Sequence, residues 1–261
     1  MNEALWVPRA PPRSEARLRL FCFPHAGAGA STFREWPPGL PADVEVCAVQ
    51  LPGRENRMRE APIVRMGELV AALAGDLRGL LDRPFAFFGH SMGAFIGFEL
   101  ARELRRRGAP GPDHLIVSAA RAPHLPLARP PLYALPEPQF VEEVRGMNGT
   151  PPEVFAHPEL RGLILQVLRA DCALCETSVF RPEAPLDCDI TVLGGFDDRE
   201  VDRAQLVAWR ELTTGICTFR MWPGDHFFIR SARPEVLALV AATLDRVASE
   251  RPAESSPAPG R

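Results

Sequence analysis

A mostly parallel, doubly wound α/β sheet is the fold class this sequence predicts, and three observations predict it. Short apolar runs of strand length alternate with amphipathic helical patterns along most of the 261 residues. One such run, residues 85–88, ends in Gly89-His90-Ser91-Met92-Gly93 and passes straight into a helical pattern. The loops with unusual composition follow strands, and open α/β sheets build their sites at the carboxyl ends of strands.

Taken in order, residues 1–16 read as a Pro- and Arg-rich lead-in with an edge strand at 5–7. Residues 17–23 alternate and then turn apolar, as a strand entering a core does. A small-residue loop, 24–31, follows and opens into a helix near 32–36. Gly27 and Gly29 lack the third glycine of a dinucleotide fingerprint, so that site is excluded. The remaining readings are a plain connection or half of an oxyanion hole, which needs a free backbone N–H after an early strand.

Residues 44–49 form a second strand, broken by Gln50-Leu51-Pro52-Gly53-Arg54. Leu69, Val70, Leu73, Leu77 and Leu80 fall at helical spacing over 66–80. After the strand at 85–88, a helix over 92–107 carries Ile96, Leu100 and Leu104 on one stripe. Its last turns hold Arg102, Arg105, Arg106 and Arg107, with Gly108 as terminator. Those cations either complement the helix dipole or form a docking patch for an acidic partner.

Residues 115–118 are the next strand, and the pattern then changes. Residues 119–185 are Pro-rich, with helical patches at 138–145, 158–168 and 171–178 and no strand signal. An insertion of this size between sheet strands predicts a lid or substrate chamber. Strands at 190–193 and 217–222 flank a helix over 203–212, and a helix over 234–247 closes the fold. The folded domain is expected to span 17–248, with a disordered tail over 249–261.

A net charge of −3 argues against a nucleic-acid partner. All 30 cations are arginine, which excludes a lysine Schiff base and a phosphate-loop lysine. No apolar run has signal-peptide or membrane-spanning length, so a soluble, cytoplasmic protein is expected. Cys172-Ala173-Leu174-Cys175 is a lone C-x-x-C and reads as two small hydrophobes on one helix, not a zinc site. No metal or organic cofactor is expected.

The chemistry gathers in four loops. Gly89 and Gly93 make room for a sharp strand-to-helix turn with Ser91 at its apex. Further on come Asp197 and Asp198, then His226. A neutral hydroxyl needs an imidazole to take its proton, and that imidazole needs a carboxylate on its other nitrogen. The order Ser, Asp, His is that of α/β-hydrolases; either aspartate serves on this argument alone. His90 flanks the serine and points away from it, and His25, His114, His124 and His157 read as structural.

Together, Phe23-Pro24-His25-Ala26-Gly27, Gln50-Leu51-Pro52-Gly53-Arg54-Glu55, Phe88 to Ala94, Arg169-Ala170-Asp171, Gly194-Gly195-x-x-Asp198 and Gly224-Asp225-His226-Phe227-Phe228 resemble the type II thioesterases of polyketide and nonribosomal peptide assembly lines. The resemblance spans roughly residues 17–245. It implies an α/β-hydrolase fold with a helical lid and a triad of Ser91, Asp198 and His226, the family spacing favouring Asp198 over Asp197. It also implies an oxyanion hole from the N–H groups of Ala26 and Met92, and a substrate held as an acyl thioester on a carrier protein's phosphopantetheine arm. Two positions depart from the family pattern. Ala28-Gly29-Ala30 stands where Gly-Ser-Ala is frequent, and Ser178-Val179-Phe180 stands where an aromatic usually comes first, a change that bears on the acyl pocket. A carboxylester hydrolase or acyltransferase with the same triad is the alternative enzyme, and a non-catalytic binding module the alternative of another class.

Overall fold

The structure, a computed structural model, describes residues 3–8, 15–127, 129–149 and 152–250. Its strands are β1 (Leu18–Phe23), β2 (Val44–Ala48), β3 (Phe85–His90), β4 (His114–Ser118), β5 (Asp189–Gly195) and β6 (Cys217–Trp222). Its α-helices are α1 (Glu3–Trp6), α2 (Met66–Asp76), α3 (Met92–Arg106), α4 (Glu137–Gly146), α5 (Pro152–Ala156), α6 (Pro158–Glu176), α7 (Arg203–Val207), α8 (Phe228–Ser231) and α9 (Arg233–Glu250). The six strands make one sheet in the order β2-β1-β3-β4-β5-β6, and each neighbouring pair is parallel.

Strand side chains alternate between two cores, as the period of two requires. Phe21, Phe23, Phe85 and Phe87 pack with Leu69, Leu73, Ile96 and Leu100 of α2 and α3. Leu18, Leu20, Ala86 and Phe88 pack on the other face with Val236, Val240 and Leu244 of α9. Burial of both faces explains why the strands read as continuous apolar runs. The chain leaves β1 for β2 on one side and reaches β3 on the other. The loops after β1 and β3 therefore flank the switch point where such sheets bind ligands.

Between β4 and β5 lie α4, α5 and α6, with a core of their own in which Leu132, Phe140, Val144, Phe155, Leu165 and Leu168 are buried. The two expected patches at 158–168 and 171–178 are one helix. Arg169 lies between the two patches and suits a helix interior, and its guanidinium donates to the carbonyls of Tyr133 and Leu135. The edge strand expected at 5–7 is instead the helical turn α1. Trp6 is tied down by an indole N–H bond to Asp76 (2.9 Å), with the Arg57 guanidinium 4.4 Å above its ring. So short an apolar run carries no decisive period, and tertiary contacts choose. The helix expected near 32–36 is a 3-10 turn, Ala30–Phe33. Helix α9 includes residues 249–250, and the rest of the expected tail lies outside the described residues.

The cations ending α3 are engaged within the chain. Arg102 is buried between Glu99 (2.8 Å) and Glu183 (2.9 Å), and Arg106 and Arg107 pair with Glu103. Arg105 and Arg106 also reach Glu183.

Buried imidazoles make the fold acid-sensitive. His114 places Nε2 2.8 Å from Thr191 Oγ1 across β4 and β5, and burial lowers its pKa to about 4. An unfolded imidazole titrates near 6.5. Between those values the unfolded chain binds more protons, so the stabilisation is whole above pH 6.5 and is lost as pH falls towards 4. His114→Gln keeps a donor near Thr191 and is expected to remove roughly 3 kcal/mol of that loss. Urea midpoints measured from pH 7 to pH 4 check this; an unchanged slope in the variant would acquit His114.

Candidate active site

The turn after β3 is built by close backbone approach. A Cβ at Gly89 would lie 2.2 Å from the Gly93 carbonyl oxygen, and one at Gly93 would lie 2.0 Å from the Phe23 carbonyl oxygen. Ser91 at the apex has φ 53° and ψ −116°, a region that side chains rarely adopt. Its N–H is held by the Ser118 carbonyl at 2.8 Å. Strained and over-determined, the backbone thrusts Oγ above the sheet.

There Ser91 Oγ meets His226 Nε2 at 2.9 Å, and His226 Nδ1 meets Asp198 Oδ2 at 2.9 Å. A carboxylate only accepts, so Nδ1 carries the proton and Nε2 is free to accept from the serine hydroxyl. Asp198 is itself fixed: its Oδ1 accepts from the N–H groups of Glu200 (2.8 Å) and Val201 (3.2 Å). Its side chain is 1% exposed. Asp197 does different work. Its carboxylate accepts from Gly224 N–H, and its own N–H donates to the Gly224 carbonyl, stitching the loop after β5 to the loop after β6. The three expected side chains, far apart in sequence, thus form one hydrogen-bonded chain.

Ala26 and Met92 flank this chain. Met92 is the first residue of α3, so its N–H has no intrahelical acceptor. Ala26 sits in the loop after β1, beside the turn, because Phe23 pairs with Gly89. Around it the loop is internally bonded. His25 Nδ1 donates to the Ala26 carbonyl at 3.0 Å, and Ala28 N–H donates to the His25 carbonyl at 3.1 Å.

His25 and His90 line the back of the site. The His90 ring is 5.5 Å from that of His226, and its Nδ1 bonds Ser118 Oγ, not Ser91 Oγ. Burial pushes His90 well below its ordinary value and His25 to about 4. Both are therefore neutral at pH 7. Neither ring adds a positive charge beside His226; the cation nearby is Arg230, 3.5 Å from His25 Nε2.

Four residues to which the sequence alone assigns no role hold the loop beside the site. Gln50 Oε1 accepts from Ala30 N–H at 2.9 Å, and Glu55 accepts from the Ser31 hydroxyl at 2.6 Å. Arg54 and Asp171 form a buried bidentate pair against the same loop. Gln50–Glu55 and Arg169–Asp171 stood out only as motifs; contacts between them are not readable from spacing. On the outer side of the loop runs a groove of about 670 Å³, floored by Gly27, Ala28 and Arg54 and walled by Leu163 and Val167 of α6. Ser178 lies elsewhere, with Arg65, Glu99 and Arg102, and is not on this groove. Among the described residues no group of His, Cys, Asp and Glu is arranged to hold a metal.

The family model of the thioesterase domain matches residues 18–244. The chain belongs to the thioesterase family. This thioesterase is 43% identical over 239 residues to the gramicidin S biosynthesis protein GrsT of Aneurinibacillus migulanus, covering 92% of this chain and 93% of the relative. The RedJ thioesterase from the prodiginine biosynthetic pathway of Streptomyces coelicolor is 39% identical, covers 93% of this chain and 99% of its own, and superposes with a TM-score of 0.82. The type II thioesterase BorB from the borrelidin biosynthetic cluster is 33% identical, covers 92% and 97%, and also superposes at 0.82. The α/β-hydrolase fold and the thioester-hydrolase class expected of the sequence both hold for this thioesterase. Among its described residues no helix is long and apolar enough to cross a membrane.

Proposed function

We propose that this chain is a serine thioesterase that hydrolyses acyl groups from the phosphopantetheine thiol of acyl or peptidyl carrier proteins. In that role it edits or releases stalled intermediates in polyketide or nonribosomal peptide biosynthesis. The observation that carries the reading is the unbroken Ser91–His226–Asp198 hydrogen-bond chain within a thioesterase-family fold. Relatives named for gramicidin S, prodiginine and borrelidin biosynthesis support the carrier-bound substrate.

Ser91 is the nucleophile, and His226 is the general base that takes its proton as Oγ attacks the thioester carbonyl. Asp198 holds the imidazole in the Nδ1–H tautomer and steadies the imidazolium. The N–H groups of Ala26 and Met92 receive the negative charge on the former carbonyl oxygen. Collapse expels the thiol, protonated from His226, and leaves an acyl ester on Ser91. A water deprotonated by His226 then attacks that ester, releasing the acid and restoring the serine. The helical segment between β4 and β5 serves as the lid, and the groove beside Gly27 and Ala28 has the size of an extended ligand's path. Six free cysteines support action in the cytoplasm.

Acyl-loaded carrier proteins provide the test. A carrier-bound acyl group is expected to turn over roughly 10–100-fold faster in kcat/KM than the same acyl group on free pantetheine, because contacts remote from the reacting carbon are used in the transition state. Equal values across a panel of carriers would remove the carrier from this reading. Faster cleavage of the matched oxygen ester would move the enzyme to the carboxylester hydrolases.

A further inference from the structure

The loop that carries Ala26 is gripped from the helical insertion by an ion pair that the Ser91–His226–Asp198 chain does not touch. Asp171 on α6 is 1% exposed, and its Oδ2 accepts from Gly27 N–H at 2.8 Å. Arg54, 6% exposed, forks onto the same carboxylate with contacts of 2.6 and 2.8 Å. The Arg54 fork also reaches the Ala28 carbonyl at 3.3 Å. One turn earlier on α6, Leu168 packs under Gly27, where an added Cβ would come within 2.7 Å of its Cδ2. Gly27 has φ +78°, so the peptide that follows Ala26 is set by a conformation open chiefly to glycine.

We propose that Asp171 and Arg54 are positioning residues for hydrolysis: they fix the Gly27 peptide so that the preceding Ala26 N–H faces the oxygen on which charge develops. The inference rests on the oxyanion role given to Ala26 above. An oxyanion donor works only when held within about 3 Å of that oxygen before the reaction starts. Within the loop, His25 Nδ1 holds the carbonyl of the Gly27 peptide, and that peptide's N–H is left to be held from outside the loop. Asp171 supplies the acceptor that fixes the loop, and Arg54 cancels the carboxylate's charge. Without that cancellation, a buried anion beside the site would oppose the developing oxyanion. The pair thereby couples the seat of α6 to the geometry of the reaction.

The test separates positioning from folding. Asp171→Leu removes the acceptor of Gly27 N–H at similar side-chain volume. Arg54→Met/Asp171→Leu removes both charges together, and such replacement of a buried pair by packed apolar residues commonly preserves folding. Each is assayed on a short acyl thioester of free pantetheine, with rates normalised to fluorophosphonate-titrated active sites. Affinity is also measured for a trifluoromethyl ketone analogue, which forms a tetrahedral adduct, and for its methyl ketone counterpart. Positioning predicts that kcat falls about 10–100-fold in both variants with KM within twofold, and that the preference for the trifluoromethyl ketone falls in the same proportion. A double variant with kcat and ketone preference within twofold of the parent would overturn the inference while leaving the oxyanion reading intact. Absence of that preference in the parent protein would remove the oxyanion reading, and this inference with it.

Discussion

Ser91→Ala is expected to reduce thioester turnover by about 10⁴–10⁶-fold, the range seen when a nucleophile is removed from a three-residue relay. The hydroxyl is the only group at the apex of the turn that bonds His226 Nε2, and the 2.9 Å contact disappears with it. The fold is expected to survive. Alanine meets the same backbone restriction at φ 53° that serine does, and the turn is held by Ser91 N–H on the Ser118 carbonyl, which remains. Single-turnover assays on a short acyl thioester, paired with thermal melts, check both halves. Turnover within tenfold of the parent, or failure of a fluorophosphonate to label the parent at Ser91, would remove the serine from its role.

Asp198→Asn is expected to cost on the order of 10⁴ in kcat with little change in structure. The direction follows from the neighbours. Two backbone N–H groups, of Glu200 and Val201, demand an acceptor at Oδ1. The asparagine oxygen must therefore sit there, which turns its NH₂ group towards His226. Nδ1 then has to accept, and the ring proton moves to Nε2, where it faces the serine and blocks proton removal. Asparagine here is thus a tautomer switch more than a loss of charge. NMR of the imidazole nitrogens reads the tautomer directly. An unaltered Nδ1–H resonance, with kcat within tenfold of the parent, would contradict this account.

What the sequence made legible followed from chain order. Loops after parallel strands share one edge, so Ser91, Asp198 and His226 could be expected to converge from their positions after β3, β5 and β6. Between Asp197 and Asp198, reaction chemistry alone was silent, and only the family spacing chose. The geometry shows how neighbours with identical side chains diverge: one accepts from His226, the other from Gly224 N–H. The Arg54–Asp171 pair was illegible because its members stand 117 residues apart and meet only when α6 seats on the loop. The strand expected at 5–7 is a helical turn for a related reason: what fixes α1 is Asp76 and Arg57, not its own four residues.

The cysteines of α6 have a consequence for the product of the reaction. Cys172 and Cys175 follow Asp171 on the helix that grips the loop of Ala26, and thioesters exchange with any thiolate they meet. A thiolate there would take the acyl group by sulfur-to-sulfur exchange and keep it as a dead-end adduct. Burial forestalls this by pushing the Cys172 thiol up to about 12 and Cys175 well above its ordinary value. At pH 7 a thiol of that kind is ionised in only about one molecule in 10⁵. The packing that seats the helix thus also holds these two half-buried thiols protonated.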